Sequence, residues 1–155
     1  MSRQYRSHAV LLVVLLGTFS YSPAWSADAI QTQMSMSGDL DIDVVKASIL
    51  DKVLTVVLAY RNNGDIKVNI KYPVDEVYFI DDIEKKKYHV LKDSKNEWIA
   101  APKWRGSHTD YTSFKITSDG KQLVWFKFPA PPAEAKTINL VIPDALPFEG
   151  LAISR

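Results

Sequence analysis

Cysteine is missing from all 155 residues. Its absence removes disulfide staples, thiolate metal sites and a thiol nucleophile. It also closes the route to a lipid-anchored bacterial lipoprotein, which needs a cysteine at its new N-terminus. Histidine is scarce, at three residues. No phosphate-cradling glycine loop, G-x-S-x-G elbow or H-E-x-x-H pair occurs. An excess of one charge is lacking too: 19 Lys+Arg stand against 18 Asp+Glu. So balanced a chain has no global pull toward nucleic acid or an anionic membrane. Sustained helical stripes and internal repeats are also absent. What remains is 46% hydrophobic and 24% charged, ordinary composition for one globular domain.

One continuous apolar run stands near the start. Arg3 and Arg6 precede it, and Ala9 to Phe19 form it. Spanning a bilayer takes about 20 apolar residues, and this run is shorter. Pro23 and the small residues around Ser26 and Ala27 follow. This is the layout of a signal peptide, with cleavage after Ser26, Ala27 or Ala29. The expected organisation is a signal peptide over 1–26, a flexible leader over 27–38 and one domain over 39–155. Loss of two arginines would leave 17 bases against 18 acids, a net charge of −1. The expected product is periplasmic or secreted, with no membrane anchor.

From Leu40 onward the dominant period is two. Leu40, Ile42 and Val44 alternate with Asp39, Asp41 and Asp43, which predicts a half-buried strand with an acidic, wet face. Lys52 to Tyr60 is apolar on both faces, as in a central strand. Asn62-Asn63-Gly64-Asp65 reads as a hairpin-type turn into a strand through Ile66, Val68, Ile70 and Tyr72. Val77–Ile80 and Tyr88–Leu91 flank a polar hairpin loop. Trp98–Ala100 is a weaker strand, and 102–110 reads as loop. Strands follow at Tyr111–Ile116, Leu123–Phe128, Ile138–Ile142 and Leu146–Ile153. Trp125, among Val124, Phe126 and Phe128, is expected in the core. Short strands with turns every 8–12 residues define an all-β sandwich or barrel.

Three stretches, YFIDDIEKKKYHVLKD, LVWFKFPAPPAEAKTINLVIP and LPFEGLAIS, resemble the secreted bacterial immunoglobulin-like sandwich domains of the immunoprotective-antigen and domain-of-unknown-function type. The resemblance spans Leu40 to Ser154. It implies an immunoglobulin-like antiparallel β-sandwich outside the cytoplasm, and it brings no catalytic residue with it.

Five groups could carry chemistry. Asp39-x-Asp41-x-Asp43 echoes a calcium loop, but the sixth and twelfth positions are Val44 and Leu50 instead of Gly and Glu. On a strand these carboxylates sit roughly 6.6–6.8 Å apart, too far for tight shared coordination. They read as a solvated face that discourages edge pairing. Met34, Met36, His89 and His108 are soft ligands suited to copper. Ser107-His108-x-Asp110 has triad letters, but neighbouring residues of an extended chain point to opposite faces. Trp98 and Trp104, with Arg105 and His108, offer an aromatic and cationic contact surface. Phe128-Pro129-Ala130-Pro131-Pro132 reads as a stiff crossover and not as a polyproline ligand.

The expectation is therefore a non-enzymatic binding module of the cell envelope. It would engage a protein or envelope polymer through Trp98, Trp104, Arg105 and His108. It would use no cofactor and bind no nucleic acid. Two other classes stay open: a periplasmic copper-binding protein using Met34, Met36, His89 and His108, and an accessory or inhibitor subunit of an envelope enzyme.

Overall fold

Alternating apolar and polar residues favour strands, because each face of a pleated chain then meets one environment. In the computed structural model, which describes residues 28–155, that pattern yields twelve strands. They are β1 (Gln31–Met34), β2 (Leu40–Leu50), β3 (Val53–Asn62), β4 (Val68–Pro73), β5 (Tyr78–Asp81) and β6 (Lys86–His89). Then come β7 (Ala100–Ala101), β8 (Trp104–Arg105), β9 (Asp110–Ile116), β10 (Lys121–Pro129), β11 (Thr137–Val141) and β12 (Phe148–Ala152). A single 3-10 turn, Val74–Glu76, is the only helical element among the described residues. The expected signal peptide lies outside the described residues.

All strand pairs are antiparallel. A five-stranded sheet runs β1-β2-β3-β10-β7, a four-stranded sheet β12-β11-β5-β6, and a three-stranded sheet β4-β9-β8. The inner faces of all three share one core. Phe128 of β10 meets Phe79 of β5 edge-on at 5.5 Å, joining the first sheet to the second. Tyr60 of β3 meets Phe114 of β9 edge-on at 5.0 Å, joining the first to the third. The architecture is thus all-β and sandwich-like, one large sheet against two small ones. Each fully buried Phe, Leu or Ile contributes about 1.5–3 kcal/mol of transfer free energy. Leu54, Leu58, Phe126, Phe128, Ile138, Leu140 and Phe148 are all in that state.

Local sequence explains the joints. Asp51 and Lys52 both have positive φ, 49° and 65°, and form a two-residue turn between β2 and β3. A bulge at Val45 shifts the inward parity of β2, so that Val44 and Ala47 are both buried. Pro73 ends β4, lacking an N–H to continue the ladder. Pro131 is buried, and Arg155 donates hydrogen bonds to the carbonyls of Pro132 and Ala135, each at 2.6 Å. This agrees with the reading of that proline stretch as a crossover.

Several expectations are corrected. Part of the expected flexible leader, residues 27–38, is strand, because Gln31–Met34 pair with Asp41–Val44 as β1. Their inward side chains are polar: Gln31 and Gln33 donate to the carbonyls of Glu149 and Pro147. Asn62–Asp65 does not close a hairpin, since β3 and β4 belong to different sheets. The buried Asn62 amide instead donates to the carbonyls of Ile66 (2.7 Å) and Thr117 (2.9 Å), tying two loops together. Trp125 leaves the core. Strict alternation buries Val124, Phe126 and Phe128 and turns Trp125 to the outer face beside Val57 and Ala101.

The acidic face of β2 is not a wet edge either. Strand β2 is interior to its sheet, and Asp43 is only 6% exposed. Its carboxylate accepts from Arg61 Nε at 2.6 Å and Nη2 at 3.1 Å, and from Thr32 Oγ1 at 2.7 Å. The Arg61 guanidinium holds the Asp43 carboxyl below the ordinary carboxylate range. Asp41 shares the same arginine at 3.3 Å.

Candidate functional site

The segment from Lys92 to Tyr111 gathers most of the singled-out side chains at one end of the fold. Its first loop is built by Asp93. The Asp93 carboxylate accepts from the backbone N–H groups of Lys95 (2.8 Å) and Glu97 (2.9 Å), an Asx-type turn that Asn96 completes at φ 61°. The Glu97 N–H foremost holds the Asp93 carboxyl below its usual range. The loop presents Glu97 to Lys103 Nζ at 3.0 Å and to the Arg105 guanidinium. Lys103 foremost, then Arg105, lower the Glu97 carboxyl in turn. Lys103 also approaches Asp110 at 3.9 Å.

The second loop, 106–109, is a tight turn closed by the Gly106 N–H donating to Thr109 O at 3.1 Å. A Cβ at Gly106 would collide with that carbonyl, so the turn needs glycine. Between the two loops lies an open cleft of about 360 Å³. Trp98, Arg105, His108, Asp75, Lys92 and Glu97 are among the residues that line it. Trp98 packs its inner side on the core, and Lys92 Nζ sits 4.1 Å from its ring centre.

Residues 102–110 were expected as loop, yet they contain β8, and its alternation divides the proposed contact set. Arg105 pairs with Asp110, and Trp104 with Tyr111. Adjacent residues of a strand face opposite ways. Arg105 therefore joins Trp98 and His108 at the cleft. Trp104 stands on the other face, 57% exposed, with its ring centre 6.4 Å from that of Tyr111. Lys71 Nζ lies 4.2 Å from the Tyr111 ring centre and 5.1 Å from that of Trp104. The expected set is thus two surfaces sharing one short strand. Tyr111 and Lys71 were not singled out, since the register that places them beside Trp104 is invisible in sequence.

Ser107 and His108 do meet, contrary to the extended-chain expectation: Ser107 Oγ lies 2.9 Å from His108 Nδ1 within the turn. The arrangement differs from a triad, in which the acid holds Nδ1 and the nucleophile approaches Nε2. Here Nδ1 is taken by the serine, and Asp110 faces Lys103.

Two of the candidate copper ligands lie on strands of different sheets and two in turns. Met34 is on edge strand β1 and Met36 in the turn after it, both exposed. His89 ends β6, with Nδ1 3.1 Å from Asp75 O, and His108 precedes β9. Among the described residues, no three His, Asp or Glu side chains converge on a point that could hold a metal ion. Also among them, no helix is long and apolar enough to cross a membrane.

No protein-family model, curated protein sequence or solved structure matches the chain.

Proposed function

We propose that this chain is an exported, immunoglobulin-like β-sandwich that acts as a non-enzymatic binding module of the bacterial cell envelope. Export is supported by the charged, apolar and small-residue pattern of the first 27 residues. The immunoglobulin-like assignment is supported by the antiparallel, sandwich-like stacking and by the resemblance of three stretches. The partner is a protein or an envelope polymer, held at the end of the fold formed by Trp98, Trp104, Arg105 and His108.

One observation carries the reading. Strand β8 holds a tryptophan 57% exposed on one side and an arginine beside a 360 Å³ cleft on the other. Exposed tryptophan next to positioned polar groups is the composition of contact surfaces, because its ring brings large area with few rotors. In the test, Trp104→Ala is compared with the parent chain for retention of envelope material. The variant is expected to lose retention while its melting temperature stays within about 2 °C, as for surface substitutions generally. A large drop in melting temperature with retention intact would make Trp104 a packing residue and remove the reading.

A further inference from the structure

The face of the three-stranded sheet that carries Trp104 has a charge pattern of its own. Buried Ile70, Tyr72, Thr112 and Phe114 point into the fold, so alternation sends the residues between them outward. The outward set includes Trp104, Tyr111, Lys71, Lys115, Asn69 and Ser113. It holds two cations and no carboxylate, on a chain whose charges otherwise nearly cancel. Lys71 and Lys115 make no ion pair among the described residues, whereas Arg61, Lys85, Lys103 and Arg105 do. The Lys71 ammonium is held over two aromatic rings instead, so its position is set without its charge being neutralised. Along the free edge of β4 this face passes into a groove of about 190 Å³, whose far wall is Pro143 and Asp144.

The chemistry this surface can recognise is narrow. Aromatic rings stack on the C–H faces of sugars, and the adjacent Asn69 amide and Ser113 hydroxyl can exchange hydrogen bonds with sugar hydroxyls. Uncompensated ammonium groups attract carboxylates. A stable protein partner would cover about 800 Å² on each side around a desolvated apolar centre. Here two rings stand among polar side chains, without such a centre. We propose that this face binds an acidic polysaccharide, with a uronic-acid unit stacked on the exposed Trp104 ring and carboxylates paired with Lys71 and Lys115. The proposal rests on the reading of the chain as an exported binding module and names the partner of that module.

Protein recovered from cells expressing the full-length chain is titrated with alginate, a uronate polymer. Dextran serves as the neutral control, poly-glutamate as a charge-only control and oligo(dT) as the nucleic-acid control. Alginate is expected to bind most tightly, and Trp104→Ala and Lys71→Gln are each expected to weaken it about tenfold with melting unchanged. Added salt is expected to weaken the lysine-dependent part. Failure of alginate to bind while envelope material is still retained through Trp104 would overturn this inference alone. Failure of both would overturn the module reading as well. Tighter binding of oligo(dT) would assign the face to nucleic acid and refute the proposal. Equal binding of poly-glutamate, insensitive to Trp104→Ala, would reduce it to bare charge and refute it too.

Discussion

Replacing Arg61 by alanine should cost far more than loss of a surface ion pair. Exposed pairs contribute about 0.2–1 kcal/mol, because water screens the charges and long side chains lose entropy. Stripping the partner from a buried charge costs about 3–5 kcal/mol. Arg61–Asp43 lies between these limits, and the two partners differ. The arginine side chain is 40% exposed, the Asp43 side chain 8%. Removing Arg61 leaves a carboxylate that is nearly out of water with only Thr32 Oγ1 as a hydrogen-bond donor. A cost of about 2–3 kcal/mol follows, which at this chain length lowers the melting temperature by roughly 6–12 °C. Asp43→Asn should cost less, since it leaves behind the better-hydrated partner.

The sign of the pH dependence is determined as well. Arg61 lowers the carboxyl of Asp43 in the folded state. Such a group contributes stability that is complete above its unfolded value of about 3.9 and is lost as pH falls through the folded value. The deficit of Arg61→Ala is therefore largest at neutral pH and shrinks in acid. Thermal melts of the parent, Arg61→Ala, Asp43→Asn and the double variant at pH 7 and pH 3 measure it. A deficit below about 2 °C at pH 7, or one equal at both pH values, would show that the carboxylate is solvated after all.

Other outcomes follow from other joints. Lys52→Gly should raise stability by about 0.5–1 kcal/mol in a thermal melt, because Lys52 sits at φ 65°, where a Cβ is strained and glycine is not. The buried hydroxyls of Tyr60 and Tyr72 bond each other at 2.9 Å, so Tyr60→Phe should cost about 1–2 kcal/mol by orphaning Tyr72. The Tyr60→Phe/Tyr72→Phe double variant should cost less than the sum of the two singles, measured as a double-mutant cycle. Burial raises the Asp144 carboxyl, and its Oδ2 has no hydrogen-bond partner. The folded state then holds that proton more tightly than the unfolded chain, so stability falls as pH rises through the folded value. Asp144→Asn, which copies the protonated form, should melt higher than the parent at pH 7 and lose that advantage in acid.

Much of the sheet framework was legible because one-sided burial writes itself as alternation. Leu40, Ile42 and Val44, then Val124, Phe126 and Phe128, point inward as their spacing predicts. Strand β1 escaped because its inward residues, Gln31 and Gln33, satisfy backbone carbonyls and carry no apolar signal. Trp125 was misplaced on the strength of its apolar neighbours; it shares parity with Lys121 and Lys127, so the alternation that buries Val124, Phe126 and Phe128 sends it outward. Asn62 looked like a turn former. Its amide in fact ties the β3–β4 connection to Thr117, a partner 55 residues away that local turn chemistry does not reveal. At the candidate site, the nearness of Trp98, Arg105 and His108 was legible from their closeness in sequence. The split between Trp104 and Arg105 was not, because a two-residue strand leaves no period to read.

Site-specific photo-cross-linking in the producing cells asks whether this end of the fold meets envelope material. A photoreactive side chain is placed at Trp104, at His108, and at the exposed control positions Leu50 and Ile83. Strong adducts to envelope material are expected from 104 and 108, and weak ones or none from 50 and 83. Adducts of equal yield from all four positions, or none from 104 and 108, would show that this end of the fold is not the binding surface.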